Sequence, residues 1–286
     1  MSITKQEFDF FRDWARERSA ISLEEDKEYL VKSRLEPILR RHKIDTISEL
    51  LASLSRRTVA AGLEDEVIDA MTTNETFFFR DIHPFQVMRD HLIPQLEREL
   101  GEERKLNVWS AACSTGQEIY SLIMLMKEHF PQLFDWDLKL YATDISSTVL
   151  EKARSGIYTD MEAKRGLDER LRNRYFTRLP NDRWQIHESL RKLVTFRQLN
   201  FIDSWPDMGR HHFVLIRNVL IYFDVDVKRQ ILERVRRRLD RRGFMMLGSS
   251  ETTLNIDPGW EVRRDGRAAY YVPRATAGVS GETRPA

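Results

Sequence analysis

The sequence predicts an α/β protein, in which a small all-helical domain precedes a mainly parallel sheet with helices on both faces. Three observations predict this. Residues 1 to about 70 carry apolar positions at spacings of three and four with almost no glycine. Beyond them, short apolar runs that end on Asp, Asn or Arg alternate with helical periodicities, the pattern of parallel strands joined by helices. At Leu106–Lys127 the two periodicities meet across a run of small residues.

In the first part Phe8, Phe11, Trp14 and Ala15, then Leu30, Leu35, Ile38 and Leu39, then Ile47, Leu50, Leu51 and Leu54 mark successive helices. Pro37 is expected to kink or restart the second of them. From Lys27 to Lys43 there are six Lys or Arg against two Glu, which reads either as a solvated helix face or as a surface for an acidic partner. Met71–Pro84, MTTNETFFFRDIHP, joins the two parts. Three consecutive phenylalanines would not stay exposed, so Phe77–Phe79 must pack against something, as a plain inter-domain seam or as part of a site. A helix follows over Phe85–Leu100, with His91, Leu92, Leu96 and Leu100 expected on one side.

The sheet begins with a strand at Leu106–Trp109, a small-residue turn Ala111–Gly116, and a helix from Gln117 carrying Ile119, Leu122, Ile123 and Met126. Strand, tight turn and helix form the first unit of a nucleotide-binding sheet, in which the turn admits a ligand to the backbone. A dinucleotide fingerprint wants three glycines, and here only Gly116 is one, so an ordinary tight turn stays open beside a cofactor loop. The second strand, Leu138–Thr143, closes on Asp144, 28 residues after Gly116. An acid there either accepts from both ribose hydroxyls or caps the helix Ser147–Ser155, a task Ser146 could also perform. A small hairpin is expected around Pro180–Asp182, inserted in the sheet domain at about 172–191. Further strands follow at Val194–Leu199, Phe213–Ile216 and Phe244–Leu247, with a basic helix at Val227–Leu239. Trp260–Val262 and Ala269–Val272 close the sheet as an antiparallel pair, and 275–286 read as a disordered tail. As domains, this gives 1–70 helical, 71–90 linker, 91–274 sheet domain, then the tail.

Composition bounds the function. No uninterrupted apolar run could cross a bilayer, and the start, MSITKQEFDFFRDWARERSA, lacks the apolar core of an export signal, so a soluble protein is expected. A lone cysteine, Cys113, excludes an internal disulfide and suggests a reducing cytoplasm. Its 46 basic and 45 acidic residues nearly cancel, which argues against nucleic acid as the partner. His211 and His212, adjacent on a strand, point to opposite faces and read as structural rather than as metal ligands.

Together TTNETFFFR at 72–80, WSAACSTGQEIYSL at 109–122, YATDIS at 141–146 and RNVLIYFD at 217–224 resemble the CheR family of chemotaxis receptor methyltransferases. The likeness runs from the helical part through about residue 273, with Gln117 and Ile119 where many members have Glu and Pro. It implies a Rossmann-like S-adenosylmethionine-dependent methyltransferase sheet that makes glutamyl methyl esters on the cytoplasmic helical domain of chemoreceptors, leaving S-adenosylhomocysteine. Carried over by motif, Asn74, Thr76 and Arg80 would surround the methionine portion and reacting end of the cofactor. Glu118 and Asp144 would be the acids of its pocket, with Asp144 on the ribose. Asn200, Phe201, Arg217 and Asn218 would flank the cofactor, and Arg80 and Tyr222 would be catalytic. Lys32, Arg34 and Arg40 would meet the receptor, although Glu36 and Pro37 interrupt that basic face. The hairpin turn lacks the glycines of peptide-tethering members, so untethered recognition by a monomer is expected. No base is needed, since a glutamate is ionised at neutral pH. The competing readings are a non-catalytic module that senses the cofactor and, more remotely, a nicotinamide oxidoreductase; a single transfer assay separates them.

Overall fold

The computed structural model describes residues 3–56 and 58–274. The tail expected at 275–286 lies outside the described residues. Four helices form the first unit: α1 Lys5–Ser19, α2 Glu28–His42, α3 Ile47–Arg56 and α4 Leu63–Met71. Thr4 and Glu7 start α1 with a reciprocal capping box, satisfying amide donors that the first turn leaves free. Phe8, Phe11, Leu35, Leu50 and Val67 are almost fully buried against one another, so this unit has its own core. Of the two expected effects of Pro37, a restart does not occur: α2 runs through it. The flanking Leu35, Ile38 and Leu39 are buried, and that packing outweighs the single backbone hydrogen bond a proline removes.

After the linker, the chain is helical from α5 His83–Val87 through a π-turn at Met88–Leu92 to α6 Ile93–Leu100. Pro94 has no N–H to give, and the wider turn just before it accommodates the missing bond. The extra residue also shifts the register of the face. Leu92, Ile93, Leu96 and Leu100 are buried, whereas His91 is exposed and pairs with Asp265 at 3.1 Å, so the expected placement of His91 on the apolar side is corrected.

The sheet domain runs β1 Lys105–Ala111, α7 Gln117–His129, β2 Asp137–Asp144, α8 Ser147–Ser155, β3 Ile157–Thr159, α9 Asp160–Lys164, α10 Glu169–Tyr175, β4 Phe176–Leu179, β5 Arg183–Ile186, α11 Glu188–Arg191 and β6 Val194–Gln198. It continues with β7 His211–Ile216, α12 Val225–Arg238, β8 Leu239–Leu247, β9 Trp260–Asp265 and β10 Ala268–Pro273. Seven strands lie in the order β6-β2-β1-β7-β8-β10-β9, with the first five parallel and the last two antiparallel. Leu106, Val108, Phe213 and Leu215 face one core, Trp109, Val214 and Ile216 the other. Both faces are covered, hence the continuous apolar runs instead of alternation.

The inserted piece is larger than the predicted hairpin. β3 pairs with β5 to make a three-stranded sheet β3-β5-β4, a contact between residues far apart in sequence and therefore silent in local pattern. This insert receives the linker: Phe78 is fully buried, edge-on to Tyr158 at 5.2 Å and to Phe176 at 5.5 Å. Arg165 lies over the Phe77 ring at 4.3 Å and bonds Glu75 at 2.7 Å.

Gly166 (φ +88) lets that approach happen, since a Cβ there would stand 1.8 Å from the Phe78 carbonyl oxygen. Gly166→Ala is therefore expected to cost about 3 kcal/mol, from overpacking and left-handed strain together. Gly266 (φ +55) has open space around it, and Gly266→Ala is expected to cost about 1 kcal/mol. Urea unfolding of the two variants checks the difference.

Candidate active site

At the C-terminal ends of β1, β2 and β7 the chain makes tight turns around one cleft, closed on its other side by the helical unit and the linker. Counted with its open mouth and the solvent in it, the cleft is about 980 Å³. The turn after β1 works without the missing glycines: Ala112 (φ 56) and Ser114 (φ 49) take the left-handed conformation themselves, before Gly116 (φ 91). Small side chains limit the cost of this, and the turn is tied down on both sides. The Cys113 amide donates to the Thr143 carbonyl at 2.9 Å, the Ser114 amide to Asp144 Oδ2 at 2.8 Å, and the Ser114 hydroxyl to the Asn74 carbonyl at 2.9 Å.

Asp144 is 6% exposed at the end of β2 and lines the cleft. Its Oδ1 accepts the Ser146 amide at 3.0 Å, so each oxygen takes one N–H and keeps lone pairs for a ligand. Ser146 caps α8, accepting from the Val149 amide at 3.2 Å, which leaves Asp144 without the capping role. Burial raises the Asp144 carboxyl above its ordinary value, against the pull of the two amides, and the nearby Asp69 adds to the rise.

Arg217, at the end of β7, has a side chain only 2% exposed. It donates to Glu118 Oε2 at 3.0 Å, to Asp81 Oδ2 at 3.0 Å and to the Arg80 carbonyl at 2.8 Å, and Glu118 also accepts from Ser110 at 2.8 Å. Arg217 and Glu118 thus line the cleft as a mutually neutralised pair that holds the linker to the sheet. Asp81, at φ 61, is the partner that motif reading missed; it is an acid directly after Arg80 in a segment with no regular structure.

The linker brings Asn74, Thr76 and Arg80 to the cleft wall. Asn74 donates to Thr72 at 2.8 Å. Arg80 Nη1 donates to the Glu75 carbonyl at 2.7 Å, and the half-buried guanidinium lies 5.8 Å from the Phe77 ring centroid, which leaves other donors directed elsewhere. Tyr222 stands at the end of a 3₁₀ turn (Leu220–Tyr222), its carbonyl accepting the Ser22 amide at 3.0 Å. Tyr222 is half-buried, and among the described residues its hydrogen bonds are those of its backbone. Asn200 donates to the Arg18 carbonyl at 2.7 Å, linking sheet to helical unit. Phe201 is buried edge-on to Phe223, behind a loop that Arg234 and Arg238 of α12 hold by its carbonyls. Asn218, with φ 59, completes the wall. All of the residues carried over to the cofactor or to catalysis therefore meet around one space. Ser19, the last residue of α1, and Ile21, just beyond it, line the cleft too and went unnoticed in the sequence, being ordinary residues at a helix end.

The three basic residues assigned to a partner separate. Arg40 is exposed and Lys32 is partly exposed near Glu36 (3.9 Å), whereas Arg34 turns inward, donating to the Met71 carbonyl at 2.6 Å and to Thr73 at 3.2 Å. Arg34 is thus part of the seam beside the cleft.

The chain is similar to known proteins over most of its length. Residues 6–72 match the family model described as CheR methyltransferase, all-alpha domain, and residues 74–264 match CheR methyltransferase, SAM binding domain. Chemotaxis protein methyltransferase 1 of Pseudomonas aeruginosa is 39% identical over 266 residues, 92% of this chain and 96% of that protein. A chemotaxis protein methyltransferase of Vibrio parahaemolyticus is 36% identical over 278 residues, 95% and 98% of the two chains.

Asp144→Ala is expected to weaken S-adenosylhomocysteine binding roughly ten- to hundred-fold, the worth of a charge-assisted hydrogen bond, as read by titration calorimetry. Because the Asp144 carboxyl is raised, wild-type affinity should fall as pH is lowered from neutral into the acid range, while that of Asp144→Asn stays flat. The stability of the unliganded protein has the opposite sign at this group: a raised carboxyl contributes stability at low pH that is lost as pH rises through its folded value.

Proposed function

The chain belongs to the CheR methyltransferase family and is an S-adenosylmethionine-dependent methyltransferase; from that premise we propose that it methylates glutamate side chains on the cytoplasmic helical domain of chemoreceptors, in chemosensory adaptation. The observation that carries this reading is the composition of the cleft. A forked cation, Arg80, and a hydroxyl without a partner among the described residues, that of Tyr222, share it with a buried strand-end acid, Asp144.

The residues fit the cofactor. Asp144, with a free lone pair on each oxygen, would hold the ribose hydroxyls, with Asn200 and Phe201 beside it. Asn74, Thr76, Glu118, Arg217 and Asn218 would enclose the methionine end. Bound there, S-adenosylmethionine supplies a methyl group activated by the positive charge of its sulfonium. What this chain supplies is alignment and dryness. A glutamate carboxylate, with an ordinary pKa of about 4.3, arrives ionised, so its oxygen is already nucleophilic and no base is required. Arg80 would grip that carboxylate through its fork, and Tyr222 would fix the approach by donating a hydrogen bond. Orientation of this kind supplies roughly 7 to 11 kcal/mol of a bimolecular barrier.

Partner recognition belongs, on this reading, to the outer face of α2. Lys32 and Arg40 remain available there to steer an acidic helical bundle, while Arg34 is engaged in the seam. Among the described residues no helix is long and apolar enough to cross a membrane; a substrate on the receptor's cytoplasmic domain would put the reaction in the cytoplasm.

Two outcomes are expected. Incubation with methyl-labelled cofactor and a chemoreceptor cytoplasmic fragment should place alkali-labile label on the fragment, with Arg80→Ala and Tyr222→Phe each slowing transfer roughly ten- to hundred-fold. No label, or label that survives alkali, would refute the glutamate assignment. Secondly, Arg40→Glu should slow transfer most at low ionic strength, because an exposed charge is screened within about 10 Å at 0.1 M salt. A salt-independent effect would place Arg40 outside the recognition surface.

A further inference from the structure

Glu251 lies in the loop after β8, is 9% exposed and is itself outside every motif named above. Its carboxylate accepts four backbone amides. Oε2 takes Asn218 and Gly248, each at 2.7 Å, and Oε1 takes Val219 at 2.9 Å and Leu220 at 2.7 Å. Three of these donors, Asn218, Val219 and Leu220, lead into the short 3₁₀ turn that ends on Tyr222. The first amides of a helical turn have no partner of their own, and a turn this short cannot hold itself by its few internal bonds. The left-handed Asn218 (φ 59) adds strain at the same point. One buried carboxylate therefore satisfies the donors, opposes the strain and fixes where the turn leaves β7.

Resting on the methyl-transfer reading above, we propose that Glu251 is a positioning residue for this reaction: by clamping residues 218–220 it sets the place of the Tyr222 hydroxyl in the cleft. Gly248 is part of the same device. A Cβ there would lie 2.7 Å from Glu251 Oε2 and 2.8 Å from the Asn218 nitrogen, so any side chain would push the clamp apart.

The test is a double-mutant cycle on methyl transfer to a receptor fragment, with S-adenosylhomocysteine affinity measured in parallel for wild type, Glu251→Gln, Tyr222→Phe and the pair. Glu251→Gln keeps the shape but turns an amide NH₂ toward amide donors. It should lower kcat by about 30-fold while weakening product binding less than about five-fold, and in that background Tyr222→Phe should cost less than about three-fold. Gly248→Ala should reproduce the split between kcat and affinity. Unchanged kcat, additive losses in the cycle, or losses of affinity as large as those of kcat would overturn the proposal. A wild-type protein that labels no receptor would refute the functional reading instead. In that event amide exchange at Val219 and Leu220 decides the clamp: acceleration by about ten-fold in Glu251→Gln supports it, and unchanged exchange overturns it.

Discussion

The cleft depends on the buried guanidinium of Arg217. Three parts of the chain that share no local pattern meet on it: the Arg80–Asp81 corner of the linker, Glu118 in the first turn of α7, and the end of β7. Removing Arg217 and Glu118 from water costs several kcal/mol, and the arrangement holds because the two terminal guanidinium nitrogens are engaged by Glu118, Asp81 and the Arg80 carbonyl. Taking away one partner would leave the others buried and uncompensated. A network of this kind stores little net stability but admits few alternative geometries, which is what a site needs to keep a linker against a sheet.

Around that network the backbone is held in conformations it would not choose. Ala20, Phe79, Asp81, Ala112, Ser114 and Asn218 all have left-handed φ values and all lie in segments that border the cleft. A phenylalanine at φ 52 is the most demanding of them, and its amide is secured by the Ser121 hydroxyl at 2.9 Å. Strain collects where several loops must approach one ligand, and it persists because neighbouring structure over-determines it. The anchors are buried polar contacts: Asp144 for the turn after β1, Arg217 for the linker, Glu251 for the turn after β7. The linker is further secured by the insert, through Phe78 and Gly166.

Much of this was legible in the residues, and the failures have identifiable causes. The strand-to-helix unit at 105–129 and the acid closing β2 announce themselves by periodicity and position. Three adjacent phenylalanines had to be packed, although nothing local said that Tyr158 and Phe176 would receive Phe78. His91 was misplaced because a π-turn moved the face by one residue, and β3 was missed because three residues carry no periodicity of their own. Arg34, Lys32 and Arg40 look alike in a charge count. The reach of the Arg34 side chain to the Met71 carbonyl and to Thr73 separates it from the others.

By itself the sequence determined the order of helices and strands, the two-part organisation, the family and the identity of the groups that could do chemistry, because these follow from periodicity, residue type and local motif. Tertiary structure alone decided which groups remain available. Glu118 and Arg217 neutralise each other, Asn200 is engaged with the helical unit, and among the described residues Tyr222 keeps a hydroxyl without a partner. It alone also assigned Glu251 four amides. The physical reason is that a polar atom's availability depends on what lies within 3 Å of it, and those neighbours come from distant parts of the chain.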